Sequence, residues 1–285
     1  MNILVTGANG QLGSEIKLLA SSFAIHNFFF TTSADLDITD AAAVATFFTA
    51  KHIQLCVNCA AYTAVDKAES EKDAAYNVNA AAAGILAKAC AVNGAKLIHV
   101  STDFVFDGNL ARPLVEADVT NPLSVYGSTK LEGEKQIQQH LPSAIILRTA
   151  WVYSTFGNNF VKTILRLCKE KPQLNIIYDQ IGTPTYAGDL AAAILHIASN
   201  EKHLAQQGVF HFTNEGVCSW YDFAIAVRDI AGLHTPIFPI ETYQYPTPAA
   251  RPKFSVLNKK LFKETFAYEI PYWRTSLEQC VKQLC

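Results

Sequence analysis

The chain has 285 residues, half of them hydrophobic, with 23 Lys plus Arg against 25 Asp plus Glu and a net charge of −2. That length suits one large α/β domain, alone or with an appended lobe, and a core that needs no covalent staples. Balanced charge without a basic block or stripe argues against a nucleic-acid surface. No membrane span is expected, because His26 and Asn27 interrupt the Phe-rich stretch, and Met1-Asn2-Ile3-Leu4-Val5 reads as a strand rather than a signal segment. Seven scattered cysteines do not form a disulfide framework. Cys56-Val57-Asn58-Cys59 has C-x-x-C spacing but lies on an apolar strand, so core cysteines are expected. A soluble, cytoplasmic protein is the expectation.

In chain order, the strand Ile3-Leu4-Val5 runs through Gly7, Gly10, Gln11, Leu12 and Gly13 into a helix carrying Ile16, Leu18 and Leu19. Strand, glycine turn and helix in this order suit a diphosphate. Glycines let it approach the backbone, and the helix N-terminus offers N–H groups and partial positive charge. A second strand ends near Phe28-Phe29-Phe30. An acid there would bind a ribose 2′-OH and an Arg a 2′-phosphate, but the chain has Thr31-Thr32-Ser33, leaving NADH and NADPH both open. Asp37 then seats the adenine or caps the following helix. The third strand, Leu55 to Asn58, ends in small residues through Ala61-Tyr62-Thr63, which leave room for a flat ligand. An Ala-rich helix from about 73 to 92 contains Asn79, and a fourth strand delivers Ser101-Thr102-Asp103 to the same edge. Alternating strands and helices predict a parallel sheet.

The next helix carries Tyr126 and Lys130, four apart and therefore on one face. An ammonium one turn from a phenol favours the phenolate and moves it towards a useful range. Thr102 could share a carbonyl oxygen with Tyr126. That set suits proton transfer to a C–O group while another agent moves a hydride. After the fifth strand (144–148) the alternation loosens. The fold class is therefore α/β, a Rossmann-type doubly wound parallel sheet with a smaller C-terminal substrate-binding lobe. The dinucleotide-binding part spans 1–151 with about 171–212 returning to the sheet, and the lobe comprises 152–170 and 213–285.

Ser101-Thr102-Asp103-Phe104-Val105-Phe106-Asp107-Gly108, Val125-Tyr126-Gly127-Ser128-Thr129-Lys130-Leu131, Arg148-Thr149-Ala150-Trp151-Val152-Tyr153 and Tyr245-Pro246-Thr247-Pro248-Ala249-Ala250-Arg251-Pro252 together resemble the extended short-chain dehydrogenase/reductase family, and within it the reductases of nucleotide-sugar ketones. The resemblance covers nearly the whole chain. It implies NAD(P)H-dependent reduction of the 4-keto group of dTDP-4-dehydro-6-deoxy-L-mannose to dTDP-L-rhamnose, a precursor of cell-surface glycans. Tyr126 would be the proton donor, with Lys130 lowering its pKa and holding the nicotinamide ribose, and Thr102 bonding the substrate oxygen. Gly10-Gln11-Leu12, Asp37-Ile38, Ala61-Tyr62-Thr63 and Lys130 match cofactor positions. Asp103 and Trp151 match substrate-side positions, and Arg251 is a candidate for the diphosphate, with a loop-anchoring salt bridge as its structural alternative. Tyr62 stands where the family often has His. Some relatives form a homodimer through a metal held by acidic residues; Glu15 and Asp189 could contribute, but no metal is expected. Asp103 is followed by Phe104, so the Asp-Glu pair of the dehydratases is missing and elimination is disfavoured. An epimerase retaining tightly bound NAD, another ketoreductase and a non-catalytic dinucleotide-binding subunit remain as alternatives.

Overall fold

The computed structural model describes residues 1–23 and 26–285. The chain opens with β1 (Asn2–Thr6), α1 (Gln11–Leu19), β2 (Asn27–Thr31), α2 (Ala41–Lys51) and β3 (Leu55–Asn58). Short helices α3 (Val65–Ala68) and α4 (Lys72–Tyr76) lead through a π turn at Asn77–Ala81 into α5 (Ala82–Asn93). Then come β4 (Lys96–Thr102), α6 (Val125–His140) and β5 (Ile145–Thr149). The remainder is β6 (Val152–Tyr153), α7 (Phe160–Glu170), β7 (Leu174–Ile177), β8 (Ile181–Gly182), β9 (Thr185–Tyr186), α8 (Ala187–Ala198), α9 (Glu201–Leu204), β10 (Gly208–His211), β11 (Cys218–Ser219), α10 (Trp220–Ile230), β12 (Ile237–Ile240), α11 (Lys260–Phe266) and α12 (Trp273–Leu284).

Six strands form one parallel sheet in the order β10-β5-β4-β3-β1-β2. The central strands are apolar on both faces because both faces are covered by helices. Ile3, Val5, Val57 and Leu147 face α1, α8 and α11. Leu4, Cys56, Leu97 and Ile146 face α2, α5 and Ile137 of α6. Each such side chain taken from water contributes about 1.5–3 kcal/mol. From β1 the chain moves outward to β2 on one side, and β3 lies on the other. The carboxyl ends of β1 and β3 therefore flank the crevice where open α/β sheets bind ligands.

Two expectations are corrected by the pairing. β7 lies within the stretch expected to return to the sheet, but it pairs with β12 outside it; within 171–212, β10 is the strand that joins the six. α11 lies within the stretch expected in the lobe, but Phe262 and Phe266 pack on the sheet side against Phe210 and Phe212. A separate core gathers Tyr153, Ile164, Leu174, Phe223, Trp273 and Leu277 from α7, α10 and α12 and their neighbours.

Candidate active site

The crevice begins at the glycine turn. Gly7 has φ +66°, and a Cβ there would lie 2.7 Å from the Ala60 nitrogen, so the turn after β1 touches the loop after β3 backbone to backbone. A Cβ at Gly13 would strike the Gly7 carbonyl, so only a glycine lets α1 rise directly off the turn. Gly10 is the N-cap of α1 and supplies no side-chain cap. The first N–H groups of the helix, including those of Gln11 and Leu12, are left to another partner, with the positive end of the dipole behind them.

A cavity of about 630 Å³ runs from this turn across the sheet edge, lined by Gly7, Gly10, Gln11, Leu12, Asp37, Ile38, Ala61, Thr63, Tyr126 and Lys130 among others. Thr31, Thr32 and Ser33 also line it, and the buried Thr31 Oγ1 has no hydrogen-bond partner. An elongated cleft with an uncapped helix at one end and orphan hydroxyl character at the end of β2 fits a dinucleotide. Asp37 does not cap α2: its Oδ1 accepts from the Thr39 N–H and hydroxyl, and Asp40 is the cap, accepting from the N–H groups of Ala42 and Ala43. The Tyr62 phenol donates to Glu71 at 2.5 Å, while its backbone N–H and C=O are held by Asn79 at 2.8 and 3.1 Å.

Asn79 lies in the π turn, where the Ala-rich helix opens by one residue. Its amide also donates to Thr129 on α6, and Gly133 brings α6 so near that a Cβ would lie against the Asn79 carbonyl. At the other end, a Cβ at Gly127 would strike the Phe104 carbonyl, and Ser124 caps the helix by accepting from the Gly127 N–H. These contacts jam α6 into the loop after β4 and set Tyr126 beside Thr102.

Burial pushes the Tyr126 phenol up to about 12, offset in part by the neighbouring Thr102 hydroxyl. The Phe104 ring meets it edge-on at 5.4 Å. Lys130 is buried, and its ammonium donates to the Val100 carbonyl at 2.7 Å and lies 3.3 Å from His99 Nε2; burial pushes it down to about 8. The expected lowering of Tyr126 by Lys130 is therefore not what the structure shows. Lys130 is directed to the strand backbone, and desolvation dominates the phenol. A phenol that keeps its proton at neutral pH is the form needed to donate one.

The Thr102 hydroxyl donates to Asp103 Oδ1 at 3.1 Å and accepts from the Phe104 N–H. Asp103 is 1% exposed, its Oδ2 is unpartnered, and burial raises it to about 6, against the lowering effect of the nearby Ser255 and Thr102 hydroxyls. Trp151 adopts φ +49°, a costly conformation for a bulky residue, and stacks on Trp220 at 3.6 Å and 12°. Gly182 packs against the same indole, where a Cβ would come within 2.8 Å of the ring. Arg251, the candidate for the diphosphate, is paired within the protein. Its fork is filled by Asp66, with Nη1 to Oδ1 at 3.1 Å and Nη2 to Oδ2 at 2.8 Å, while Nη1 also donates to Thr247 and the Ala249 carbonyl. The carboxylate takes the two parallel bonds a diphosphate would use, so here Arg251 anchors a loop. Glu15 accepts from Ser154 at 2.6 Å, and Asp189 from Ser276 and Asn214 at 2.5 and 2.6 Å. Among the described residues no group of three His, Cys, Asp or Glu side chains is placed to hold a metal ion.

Sequence reasoning missed Trp220, which no local pattern announces, and the roles of Asn79 in the Ala-rich helix and of His99, a lone polar residue in an apolar strand. It also missed the buried pair in which Arg148 bonds Glu134 through two nitrogens at 2.9 and 2.7 Å.

A parallel sheet with a glycine turn at its switch point, and a Tyr-x-x-x-Lys helix beside a strand-end threonine, defines the extended short-chain dehydrogenase/reductase class. The sequence profile of the family described as RmlD substrate binding domain matches residues 1–285. The dTDP-4-dehydrorhamnose reductase of Escherichia coli K12 is 40% identical, over 100% of this chain and 98% of its own. The crystal structure of a dTDP-4-dehydrorhamnose reductase from Clostridium acetobutylicum is similar with a TM-score of 0.95 at 43% identity, covering 100% of this chain and 99% of that one. That of the Bacillus anthracis dTDP-4-dehydrorhamnose reductase, in complex with NADP, has a TM-score of 0.94 at 34% identity, covering 99% of each chain. The chain belongs to the RmlD substrate binding domain family.

Proposed function

We propose that the protein reduces the 4-keto group of dTDP-4-dehydro-6-deoxy-L-mannose to dTDP-L-rhamnose, using NADPH or NADH. The observation that carries this reading is the convergence of Tyr126, Lys130 and Thr102 at the inner end of the dinucleotide crevice. The bound cofactor supplies the hydride to C4. Tyr126 gives its phenolic proton to the oxygen that becomes the C4 hydroxyl, and the tyrosinate regains a proton from solvent. Thr102 turns its hydroxyl from Asp103 towards the ketone oxygen, so two donors meet the charge that develops there. Lys130 holds the nicotinamide ribose. The main chain of Gly10, Gln11 and Leu12 takes the cofactor diphosphate, with Asp37, Ile38, Ala61 and Thr63 along its length. Trp151, braced by Trp220, walls the sugar, and Asp103 accepts a sugar hydroxyl.

Phe104 stands where a dehydratase places its second acid, which supports reduction over elimination. A cytoplasmic site of action is supported by the described cysteines, all unpaired, and by the described helices, none of which is long and apolar enough to cross a membrane. The test is oxidation of NADPH and NADH with enzymatically prepared substrate, followed by identification of the sugar. Formation of dTDP-L-rhamnose is the expected result. No oxidation while the cofactor still binds would overturn the reading, and a 4-epimer formed with NAD retained on the protein would assign an epimerase.

A further inference from the structure

Beneath the crevice floor a row of buried polar groups crosses three strands. Thr6 on β1 donates its hydroxyl to Asn58 Oδ1 on β3 at 2.6 Å, and the Ala60 N–H donates to the same oxygen at 3.2 Å. Asn58 Nδ2 lies 2.9 Å from His99 Nδ1 on β4, and His99 Nε2 lies 3.3 Å from Lys130 Nζ on α6. Thr6, Asn58, His99 and Lys130 are all at most 2% exposed. A row this deep in apolar sheet is costly unless each donor meets an acceptor.

The hydrogens follow from the donors that have no choice. A backbone N–H can only donate, so the Ala60 N–H fixes the Asn58 oxygen on its own side. The other side of the amide is then NH₂, and it points at His99 Nδ1, which must accept. A neutral imidazole has one donor and one acceptor, so its proton is on Nε2. Nε2–H therefore faces Lys130. An ammonium, with three donors and no acceptor, cannot accept that hydrogen, whereas the neutral amine can.

The other groups around Lys130 do not reverse this. Glu134, one turn along α6, favours the ammonium but is already held by both Arg148 nitrogens and by Ser101 at 2.5 Å. Cys59 after β3 carries a thiol that burial pushes up to about 12. Tyr126 on α6 is itself held protonated by burial. Burial holds His99 well below the ordinary imidazole range.

We infer that His99, locked by Asn58 in the Nε2–H tautomer, is a positioning residue that sets the protonation of Lys130 by presenting it with a donor rather than an acceptor. The row extends from Thr6, in the cofactor-binding cleft, to the lysine beside the proton donor. It gives the sheet floor a part in fixing the pH at which Lys130 loses its proton. The inference rests on the proposed reduction only for its kinetic consequence.

The test combines ¹⁵N NMR of labelled histidine with ¹³Cε titration of labelled Lys130, both on the full chain without substrate. The expected result is a pyridine-type Nδ1 and a protonated Nε2 at His99. With His99→Gln, whose amide oxygen can turn to accept from the ammonium, the Lys130 midpoint rises by about one unit. Asn58→Asp keeps the shape and accepts from His99 Nδ1–H instead. It flips the tautomer and also raises the midpoint, so it serves if His99→Gln does not fold. The basic limb of kcat/KM moves up by the same amount as the midpoint. An Nδ1–H tautomer in the unaltered protein, or a Lys130 midpoint unmoved by both substitutions, overturns the inference. Absence of ketone reduction with the NMR shifts intact would sink the proposed reaction and leave the inference standing.

Discussion

The crevice and the lobe are built by different means. At the crevice the groups facing a ligand are largely backbone: an uncapped helix start, and glycines whose missing Cβ atoms let turn, helix and neighbouring loop touch. The lobe side relies on side chains paired across long separations: Trp151 on Trp220, Arg251 on Asp66, and Ser255 beside Asp103. Backbone recognition tolerates many side chains but no added carbon. Side-chain recognition tolerates change at one partner only if the other can re-pair.

Six substitutions probe that contrast, beginning with the group where the two halves meet. Tyr126→Phe should lose roughly 10²–10⁴-fold in kcat while the dinucleotide binds as before, checked by turnover and fluorescence titration. Gly13→Ala should strike the crevice alone. Its Cβ would press on the Gly7 carbonyl, costing about 1–3 kcal/mol of stability together with cofactor affinity, read by calorimetry and cofactor titration.

Asp103 provides the pH test. Its folded pKa of about 6 lies above the ordinary 3.8, so between those values the folded protein keeps a proton that the unfolded chain has released. Stability therefore falls as pH rises from about 4 to about 6 and stays lower above that window. Asp103→Asn should remove the fall, gaining up to about 3 kcal/mol above pH 7 and nothing below pH 4, as thermal denaturation against pH would reveal. A gain equal at all pH values would remove the titration as its cause.

Trp220→Ala should act on the lobe alone, raising KM for the sugar about tenfold by releasing Trp151 while cofactor affinity stays constant, as steady-state kinetics would report. The smallest effect concerns Arg251. If it is only an anchor, Arg251→Ala and Asp66→Ala cost alike, within about 1 kcal/mol, and the double variant costs no more than either. A larger loss in kcat/KM for Arg251→Ala would give it a second role on the substrate diphosphate.

The same contrast explains what could be read from the chain. Glycine spacing, Tyr126 with Lys130 and Thr102 at a strand end were legible because each is a local pattern with one backbone solution. The irregular part was not. β7 has the composition of a sheet strand, yet it pairs with β12 some sixty residues on, and no local signal separates the two outcomes. Trp151 could be placed at a strand end, but its φ and its partner Trp220 come from tertiary packing. Spacing on α6 sets Lys130 on the face of Tyr126. The direction of its ammonium depends on the Val100 carbonyl and His99, neighbours that only the assembled sheet supplies.

The π turn at Asn77–Ala81 has one further consequence. It holds one residue more than a regular helix needs, so the helix downstream is rotated by about 100° relative to the helix upstream. Deleting a single alanine there would leave a well-formed helix with every hydrogen bond satisfied. It would also turn Asn79 away from the Tyr62 loop and from Thr129. The alignment of the Tyr62 loop with α6 is thus stored in a count of residues, and a one-residue deletion that preserves helicity and core could erase it.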